Sequence, residues 1–282
     1  MASIDDYGDY EAAWCPGCGN FAILKAVKKG LADADIRPHE VLFVSGIGQA
    51  AKAPHYLNCN VFTGLHGRSM PVATGAKLTN PHLHVICESG DGCNYGEGGN
   101  HFIAAIRRNI GVTMLAHNNR VYGLTKGQAS PTSPKGFTTR AQPSGAPSQA
   151  FNPVEIAISM EANFVARAFA GDRDQLADLL GQALAHPGFA LIDVCQPCTS
   201  FNKVNTFQWF KEHTYTPEGH DLLDREAAMQ LAGDQDEKIA VGLLYKNDRP
   251  PFEENFPWLE KGPLFEQPAE DTTLKEILQS YV

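Results

Sequence analysis

Glycines, an aspartate and an asparagine stand at the ends of two apolar runs that follow each other along the chain. Gly90-Asp91-Gly92 comes after the first run, and Asn119 comes after the second, with twenty-six residues between Gly92 and Asn119. Glycines let the backbone approach a diphosphate closely and donate its amides. The Asp91 carboxylate, the Asn119 amide oxygen and the Val121 carbonyl are oxygen ligands of the kind that Mg²⁺ prefers. The pattern predicts a site for a Mg²⁺-bound diphosphate.

Seven cysteines form a second group of residues with possible chemistry, and four of them make two C-x-x-C pairs, Cys15 with Cys18 and Cys195 with Cys198. In a reducing compartment such pairs are not a disulfide framework, so a metal or cluster site is the leading interpretation. The first pair lies in WCPGCG, a turn rich in glycine and proline. A structural zinc site is the alternative reading of two such pairs.

The composition excludes several classes of partner. The chain has 23 Lys and Arg against 32 Asp and Glu, a formal net charge of −9, which disfavours a nucleic-acid or anionic-membrane surface. No apolar run approaches the roughly 20 residues of a membrane span. The first residues, MASIDDYGDYEAAW, are acidic and lack the features of a signal peptide. We therefore expect a cytoplasmic protein.

The elements that must position these residues alternate between strands and helices. Apolar runs predict strands at 41–44, 83–87, 112–116, 164–168 and 190–194, and helical spacing predicts helices near 21–31, 70–78, 100–108, 153–160 and 173–186. Nearly continuous apolar strands separated by helices are typical of an α/β fold, a parallel sheet with helices on both faces. Ligands in such folds bind at the carboxyl ends of the strands, where the glycine-rich loops of this chain fall.

The composition of the chain changes near Thr216, where a proline-rich sequence without a long periodic segment begins. We predict a main domain over residues 1–215 and an extended tail over 216–282. The tail carries aromatic and aliphatic side chains that are unfavourable in water, so we expect it to pack on the body or on a partner subunit. These side chains include Phe252, Phe256, Trp258, Leu259 and Phe265.

The motifs together resemble one family. GDG followed at this distance by NNRVYGLT resembles the thiamine diphosphate motif, and WCPGCGN, SGIGQ, LHGRSMPVATGAKLTNP and QPCTSFN are similar to the beta subunits of 2-oxoacid:ferredoxin oxidoreductases. The resemblance covers residues 14 to about 215. Gly46-x-Gly48 also fits a relaxed dinucleotide fingerprint, but LHGRS stands where that fingerprint wants an acidic residue, which disfavours a nicotinamide or flavin site.

The resemblance implies a thiamine diphosphate-binding fold and roles for further residues. His66, Arg68 and Lys52 would lie around the thiazolium ring and the substrate, since a cationic group suits the carboxylate of a 2-oxo acid. The loop after Asn119 would contact the diphosphate and the substrate end of the cofactor. It contains Tyr122, Gly123, Leu124, Thr125 and Lys126.

For the cysteines, the resemblance implies a [4Fe-4S] cluster bound by Cys15, Cys18 and Cys198. The usual fourth ligand would follow SGIG, but position 49 is glutamine. Cys59 and Cys195 are the candidate substitutes. We favour Cys59, which lies in the connection that lost its cysteine and has polar neighbours, over Cys195, which lies in a predicted strand. A site with three cysteines only is the least favoured of the three alternatives. Many members of the family have an aspartate where this chain has Cys93, and Cys93 and Cys87 are expected to be bystanders.

The activity implied is the coenzyme A-dependent oxidative decarboxylation of a 2-oxo acid, or its reverse, with electrons passing to ferredoxin. CQPCTSFNKVNTFQWF looks most like 2-oxoglutarate-using members, with pyruvate as the runner-up. The chain is too short to add a pyrimidine-binding domain and its glutamate, so an alpha subunit is expected to supply them in a dimer of heterodimers. A non-oxidative thiamine enzyme with a structural zinc stays open as the alternative.

Overall fold

The computed structural model describes residues 1–268 and 271–281, with the side chains of 271–273 excepted. The helices are α1 (Gly19–Asp33), α2 (Ser69–Thr79), α3 (Gly99–Arg108), α4 (Pro153–Ser159), α5 (Arg173–Ala185), α6 (Phe207–His213), α7 (Arg225–Gly233) and α8 (Asp271–Ser280). The strands are β1 (Val41–Ser45), β2 (Asn60–Thr63), β3 (His84–Gly90), β4 (Val112–Asn118), β5 (Val121–Tyr122), β6 (Gln128–Ala129), β7 (Phe164–Phe169), β8 (Ala190–Cys195), β9 (Thr214–Tyr215), β10 (Ile239–Ala240) and β11 (Gly242–Lys246). Short 3₁₀ segments and one π-helix complete the chain.

A seven-stranded sheet forms the centre of the fold, with the order β11-β7-β8-β4-β3-β1-β2. Every neighbouring pair is parallel except β11 with β7, which is antiparallel. The five predicted strands correspond to β1, β3, β4, β7 and β8. The predicted α/β fold is confirmed, with a sheet that is mostly rather than wholly parallel. Because the main strands run the same way, the loops after β1, β3, β4 and β8 meet at one edge of the sheet.

Helices cover both faces of the sheet, because side chains alternate along each strand. Helices α1 and α5 pack on one face with β-strand residues such as Phe43, Leu115 and Val194. Helices α2, α3, α4 and α7 pack on the other face with residues such as Val44 and Met114. Both faces are apolar, as expected for a parallel sheet that is buried on each side. No helix in the described ranges is both long and apolar enough to cross a membrane.

The segment after residue 216 contains more regular structure than its composition indicates. Helix α7 packs on the α4 face, and β11 extends the sheet beside β7. Residues 247–268 then run as extended chain with short 3₁₀ turns. This stretch lies on the body: the Asn109 side chain donates to the carbonyls of Arg249 (2.8 Å) and Pro250 (3.0 Å), and Glu253 accepts from the Gly111 amide at 3.0 Å.

Candidate functional site

A cavity lies at the carboxyl ends of β1, β3 and β4, and we call it the cofactor cavity. All nine residues predicted to bind the cofactor line it, together with His66, Gln49 and residues of the loop after β1. The nine are Gly90, Asp91, Gly92, Asn119, Val121, Tyr122, Gly123, Leu124 and Thr125. The parallel register explains the convergence, because β3 and β4 are neighbours and Gly90 pairs with His117 at their carboxyl ends.

Among the described residues, Asp91 is the one carboxylate that lines the cofactor cavity, and it is only 1% exposed. Its Oδ2 accepts a hydrogen bond of 2.6 Å from the Thr132 hydroxyl. Burial raises the pKa of Asp91 from 3.8 to about 6, while hydrogen bonds from Ser130 and Thr132 oppose the rise. A desolvated carboxylate of this kind is stabilised when a cation binds beside it.

Asn119 opens a tight turn at the end of β4. Its Oδ1 accepts from the Val121 amide at 3.0 Å, and Arg120 between them has a φ of 59°. A positive φ is unfavourable for a non-glycine residue, so the surroundings must hold it. Arg120 is buried, donates to Asp236 at 2.8 Å and lies 5.5 Å from the centre of the Trp209 ring. The part of the chain after Thr216 thus fixes the turn.

The backbone after Asp91 winds as a π-helix over Gly92–Glu97, a form that is frequent at functional sites. A Cβ at Gly92 would lie 2.1 Å from Cε1 of Tyr122, so only glycine allows this close approach of the two loops. A Cβ at Gly123 would meet nothing within 4 Å, because Gly123 faces open space in the cavity. Gly92 therefore brings the loops after β3 and β4 together, and Gly123 leaves room for a ligand beside them.

A second, adjacent cavity contains three of the cysteines, and we call it the thiol cavity. It is lined by Cys15, Cys18 and Cys198, together with Trp14, Asn20, Gln196 and the loop after Cys198. Gln49, Asn119 and Gly123 line both cavities, so a single layer of residues separates them. Trp14 donates its Nε1 hydrogen to the Gln49 carbonyl at 2.8 Å and joins the first C-x-x-C turn to this shared wall.

Cys18 stands directly before α1, so the positive end of that helix faces the thiol cavity. Gln196 donates to the Cys18 sulfur at 3.7 Å. The pKa of Cys18 is raised to about 11, mainly by burial and further by the neighbouring Cys198 and Cys15. Free Cys18 is therefore protonated at neutral pH. Among the described residues, no three His, Cys, Asp or Glu side chains already stand in metal-binding geometry.

The structure does not bring Cys59 or Cys195 into the thiol cavity. Cys59 precedes β2 and packs against the apolar cluster that contains Tyr7 and Trp14. Cys195 ends β8 and is buried with Phe169 and Phe210. Gln49 and Gln196 line this cavity with the three thiols, and the Oε1 of each is buried without a hydrogen-bond partner.

Of the residues expected around the substrate, His66 and Leu124 line the cofactor cavity, and Lys52, Arg68 and Lys126 do not. His66 lies 3.0 Å from Glu97 through Nδ1 and Oε2. Lys52 is half-buried in the 3₁₀ segment that follows Gln49. Arg68 is exposed, and its Nη1 lies 3.5 Å from Nε2 of His101. Lys126 is exposed at a φ of 73°.

Three residues that support the site are missing from the sequence-based set. Thr132 contacts Asp91, and Arg120 holds the Asn119 turn. Cys93, expected to be a bystander, lines the cofactor cavity, and its sulfur accepts from the Gly67 amide at 3.2 Å. In the sequence, Thr132 lies in a Ser/Thr-rich loop at 126–150 and Arg120 lies inside the Asn119 motif. Neither feature is specific enough to predict a role in the site.

Two family models match the chain in succession. The C-terminal, thiamine pyrophosphate-binding domain of thiamine pyrophosphate enzymes matches residues 43–194 and so contains the whole loop set of the cofactor cavity. The C-terminal domain of the pyruvate ferredoxin oxidoreductase beta subunit matches residues 198–261. The chain therefore contains a thiamine diphosphate-binding domain.

Several known proteins are similar to this chain over most of its length, and their names refer to one class of enzyme. The beta subunit of 2-oxoacid:ferredoxin oxidoreductase 1 from Aeropyrum pernix is 42% identical over 83% of this chain and 77% of its own. The 2-oxoglutarate oxidoreductase subunit KorB from Mycobacterium tuberculosis is 45% identical over 70% of this chain and 53% of its own. A solved 2-oxoglutarate:ferredoxin oxidoreductase from Magnetococcus marinus, with 2-oxoglutarate, coenzyme A and succinyl-CoA bound, is 35% identical. Its TM-score is 0.90, over 98% of this chain and 95% of that one. The chain belongs to the beta subunits of the 2-oxoacid:ferredoxin oxidoreductases, oxidoreductases that act together with a partner subunit.

Proposed function

We propose that this chain, with an alpha subunit, carries out the coenzyme A-dependent oxidative decarboxylation of 2-oxoglutarate, or its reverse, and passes the electrons through a [4Fe-4S] cluster to ferredoxin. The observation that carries the proposal is the shared wall of Gln49, Asn119 and Gly123 between the cofactor cavity and the thiol cavity. Thiamine diphosphate supplies carbanion stabilisation when bound, and a thiolate-bound cluster accepts electrons singly. Such groups on either side of one layer of residues would be close enough to exchange electrons.

The cofactor cavity has the donor set that a Mg²⁺-bound diphosphate needs. Asp91 would supply a carboxylate, Asn119 an amide oxygen and Val121 its carbonyl. The fit is supported by Asp91, whose buried carboxylate accepts a hydrogen bond from the neutral hydroxyl of Thr132. A divalent cation would lower the pKa of this group and keep it ionised at neutral pH. The open space beside Gly123 would accommodate the diphosphate without a side chain in the way.

The thiol cavity supplies three donors of the right chemistry for an iron–sulfur cluster. Cys15, Cys18 and Cys198 line one cavity at the positive end of α1, which would stabilise the negative charge of thiolates and sulfide. Because the free thiol of Cys18 has a raised pKa, its proton must leave as iron binds. Thiolates suit iron in clusters better than the oxygen donors that remain in this cavity.

The proposed active site is completed by the alpha subunit, which would carry the pyrimidine-binding domain and its glutamate. The cofactor cavity is open beside Leu124, which is 46% exposed, and beside Thr125, so a partner could cover the cofactor there. His66 at the same cavity would face the thiazolium and the substrate. Arg68, Lys52 and Lys126 would contribute to binding of the substrate carboxylate only after a local rearrangement. The proposal includes a dimer of heterodimers in the cytoplasm, where thiols stay reduced.

The test is an assay of the anaerobically reconstituted complex of this chain with its alpha subunit. We expect coenzyme A-dependent reduction of ferredoxin with 2-oxoglutarate, slower reduction with pyruvate, and the visible absorbance of an iron–sulfur cluster. Activity with pyruvate alone would change the substrate but keep the reaction. A colourless, zinc-containing complex that decarboxylates a 2-oxo acid without reducing ferredoxin would instead support the non-oxidative alternative.

A further inference from the structure

Gln49 lines both cavities and has an unsatisfied polar atom in its side chain. Its Oε1 is buried without a hydrogen-bond partner, although buried polar atoms in proteins are nearly always paired. The backbone of Gln49 is held in place by the hydrogen bond from Trp14 to its carbonyl. Gln49 lines the thiol cavity together with all three of its cysteines. Gln196 Oε1, in the same cavity, is also unpaired, and two unpaired buried oxygens there indicate a missing partner.

The register of the sheet separates Cys59 from the three thiols. Asn60 pairs with Leu42, so Cys59 lies level with Val41, at the amino end of β1. The thiol cavity lies beyond Ser45, at the carboxyl end of the same strand. Four strand residues at about 3.3 Å each put roughly 13 Å between these two levels. The connection from residue 50 to residue 59 therefore returns to the opposite end of β1, and Cys59 lies far from the thiol cavity.

Cys195 is excluded by the direction of its side chain. Val194 packs on the sheet face that carries α1, in the same apolar cluster as Cys18. Side chains alternate along a strand, so Cys195 points to the opposite face, where it is buried with Phe210. Bringing its sulfur to the cavity would require β8 to rotate within the centre of the sheet.

We propose that the cluster is held by three cysteine thiolates only, with Gln49 in the place of the fourth ligand. This inference rests on the function proposed above and goes beyond it. A four-iron cluster ordinarily takes four thiolates, so one iron has none here. The amide oxygen of Gln49 is a hard donor and a weak ligand for iron in a sulfide cluster. That iron is consequently the one that leaves first.

The chemical consequence is a selective, reversible loss of one iron. Ferricyanide removes one electron from [4Fe-4S]²⁺ and is reduced to ferrocyanide, and the oxidised cluster then divides into [3Fe-4S]⁺ and Fe²⁺. Ferrous ion and a reductant reverse the step. Three thiolates also leave the site one negative charge short of a four-thiolate site, which raises its reduction potential.

The test compares five forms of the anaerobically purified complex with its alpha subunit: wild type, Gln49→Cys, Gln49→Ala, Cys59→Ala and Cys195→Ala. Iron, sulfide and the EPR spectrum are measured before and after one equivalent of ferricyanide. We expect wild type, Cys59→Ala and Cys195→Ala to lose one iron of four and give the three-iron EPR signal. Gln49→Cys should keep four irons and show a lower reduction potential. Gln49→Ala provides a second variant and should lose its iron like wild type.

Iron loss on purification of Cys59→Ala or Cys195→Ala, with normal folding by circular dichroism, would overturn the assignment in favour of that cysteine. Equal resistance of wild type and Gln49→Cys to ferricyanide would also overturn it, while leaving the proposed oxidoreductase function intact. Absence of any cluster in both wild type and Gln49→Cys would remove the proposed function and this inference together.

Discussion

Replacement of Asp91 by asparagine should have opposite effects on cofactor binding and on stability. The carboxylate is 1% exposed, and burial raises its pKa to about 6. Without a bound cation, the folded protein must keep a desolvated negative charge at neutral pH. Asparagine has almost the same shape and no charge, so Asp91→Asn should stabilise the cofactor-free protein. The same change removes the charged Mg²⁺ ligand and should abolish Mg²⁺-dependent binding of thiamine diphosphate.

The size of the stability effect follows from the pKa shift. The folded-state pKa of about 6 lies above the unfolded value of about 3.8, so Asp91 is best tolerated when it is protonated. Relative to Asp91→Asn, the wild type should lose stability as the pH rises from about 4 to about 6. At about 1.36 kcal/mol per pKa unit, the difference above that range amounts to about 3 kcal/mol. Below about pH 4 the two proteins should be equally stable.

Urea denaturation of the cofactor-free protein at about pH 4 and about pH 7.5 measures the difference. At 100 times the dissociation constant, Mg²⁺ and thiamine diphosphate should add about 2.7 kcal/mol to the wild type and nothing to Asp91→Asn. Asp193→Asn is the matched control, because Asp193 is also buried with a raised pKa but does not line the cofactor cavity. The reasoning fails if Asp91→Asn binds the cofactor normally, or if its stability difference is the same at both pH values.

Three further perturbations probe the cofactor cavity and its surroundings. Gly92→Ala places a Cβ 2.1 Å from the Tyr122 ring and should weaken cofactor binding at least about fivefold by calorimetry, since overpacking costs about 1–3 kcal/mol; unchanged affinity would contradict the close approach. Asp236→Ala removes the partner of Arg120 and should weaken cofactor binding by about 1 kcal/mol, roughly fivefold; Asp234→Ala, in the same loop, should affect binding less. This chain alone, with cofactor, Mg²⁺ and cluster present, should not turn over a 2-oxo acid; turnover at the rate of the complex would refute the need for a second subunit.

The loops of the cofactor cavity were predictable because parallel strands obey a general rule. Gly90, Asp91 and Asn119 lie at or just after the carboxyl ends of apolar strands. Neighbouring parallel strands bring such residues together at one edge of the sheet, whatever the sequences of the loops. The support of these loops was not predictable in this way. Thr132 comes from a loop without periodicity, and Arg120 meets Asp236 across more than a hundred residues. Contacts between residues so far apart in the sequence depend on the conformations of the loops. The spacing of residues within a short segment does not predict those conformations.

The cysteines illustrate a different limit. The prediction of Cys59 as a ligand rests on its closeness to Gln49 along the chain. Distance along the chain is a poor guide to distance in space when a strand lies between the two residues. Asn60 pairs with Leu42, which puts Cys59 at the amino end of β1. Cys195 and Cys198 are only three residues apart, yet strand alternation sends Cys195 to the far face while Cys198 reaches the thiol cavity.

The turn that holds Asn119 has a consequence for recombination between relatives. The thiamine pyrophosphate-binding match ends at residue 194, and the next match begins at residue 198. A crossover at this junction would take Asn119 and Arg120 from one parent, and Cys198 and Asp236 from the other. Chimeric genes joined there should therefore yield folded but poorly assembled enzymes unless the two parents agree at these positions. The regions 43–194 and 198–261 must therefore come from the same parent, or from parents with the same residues at these positions.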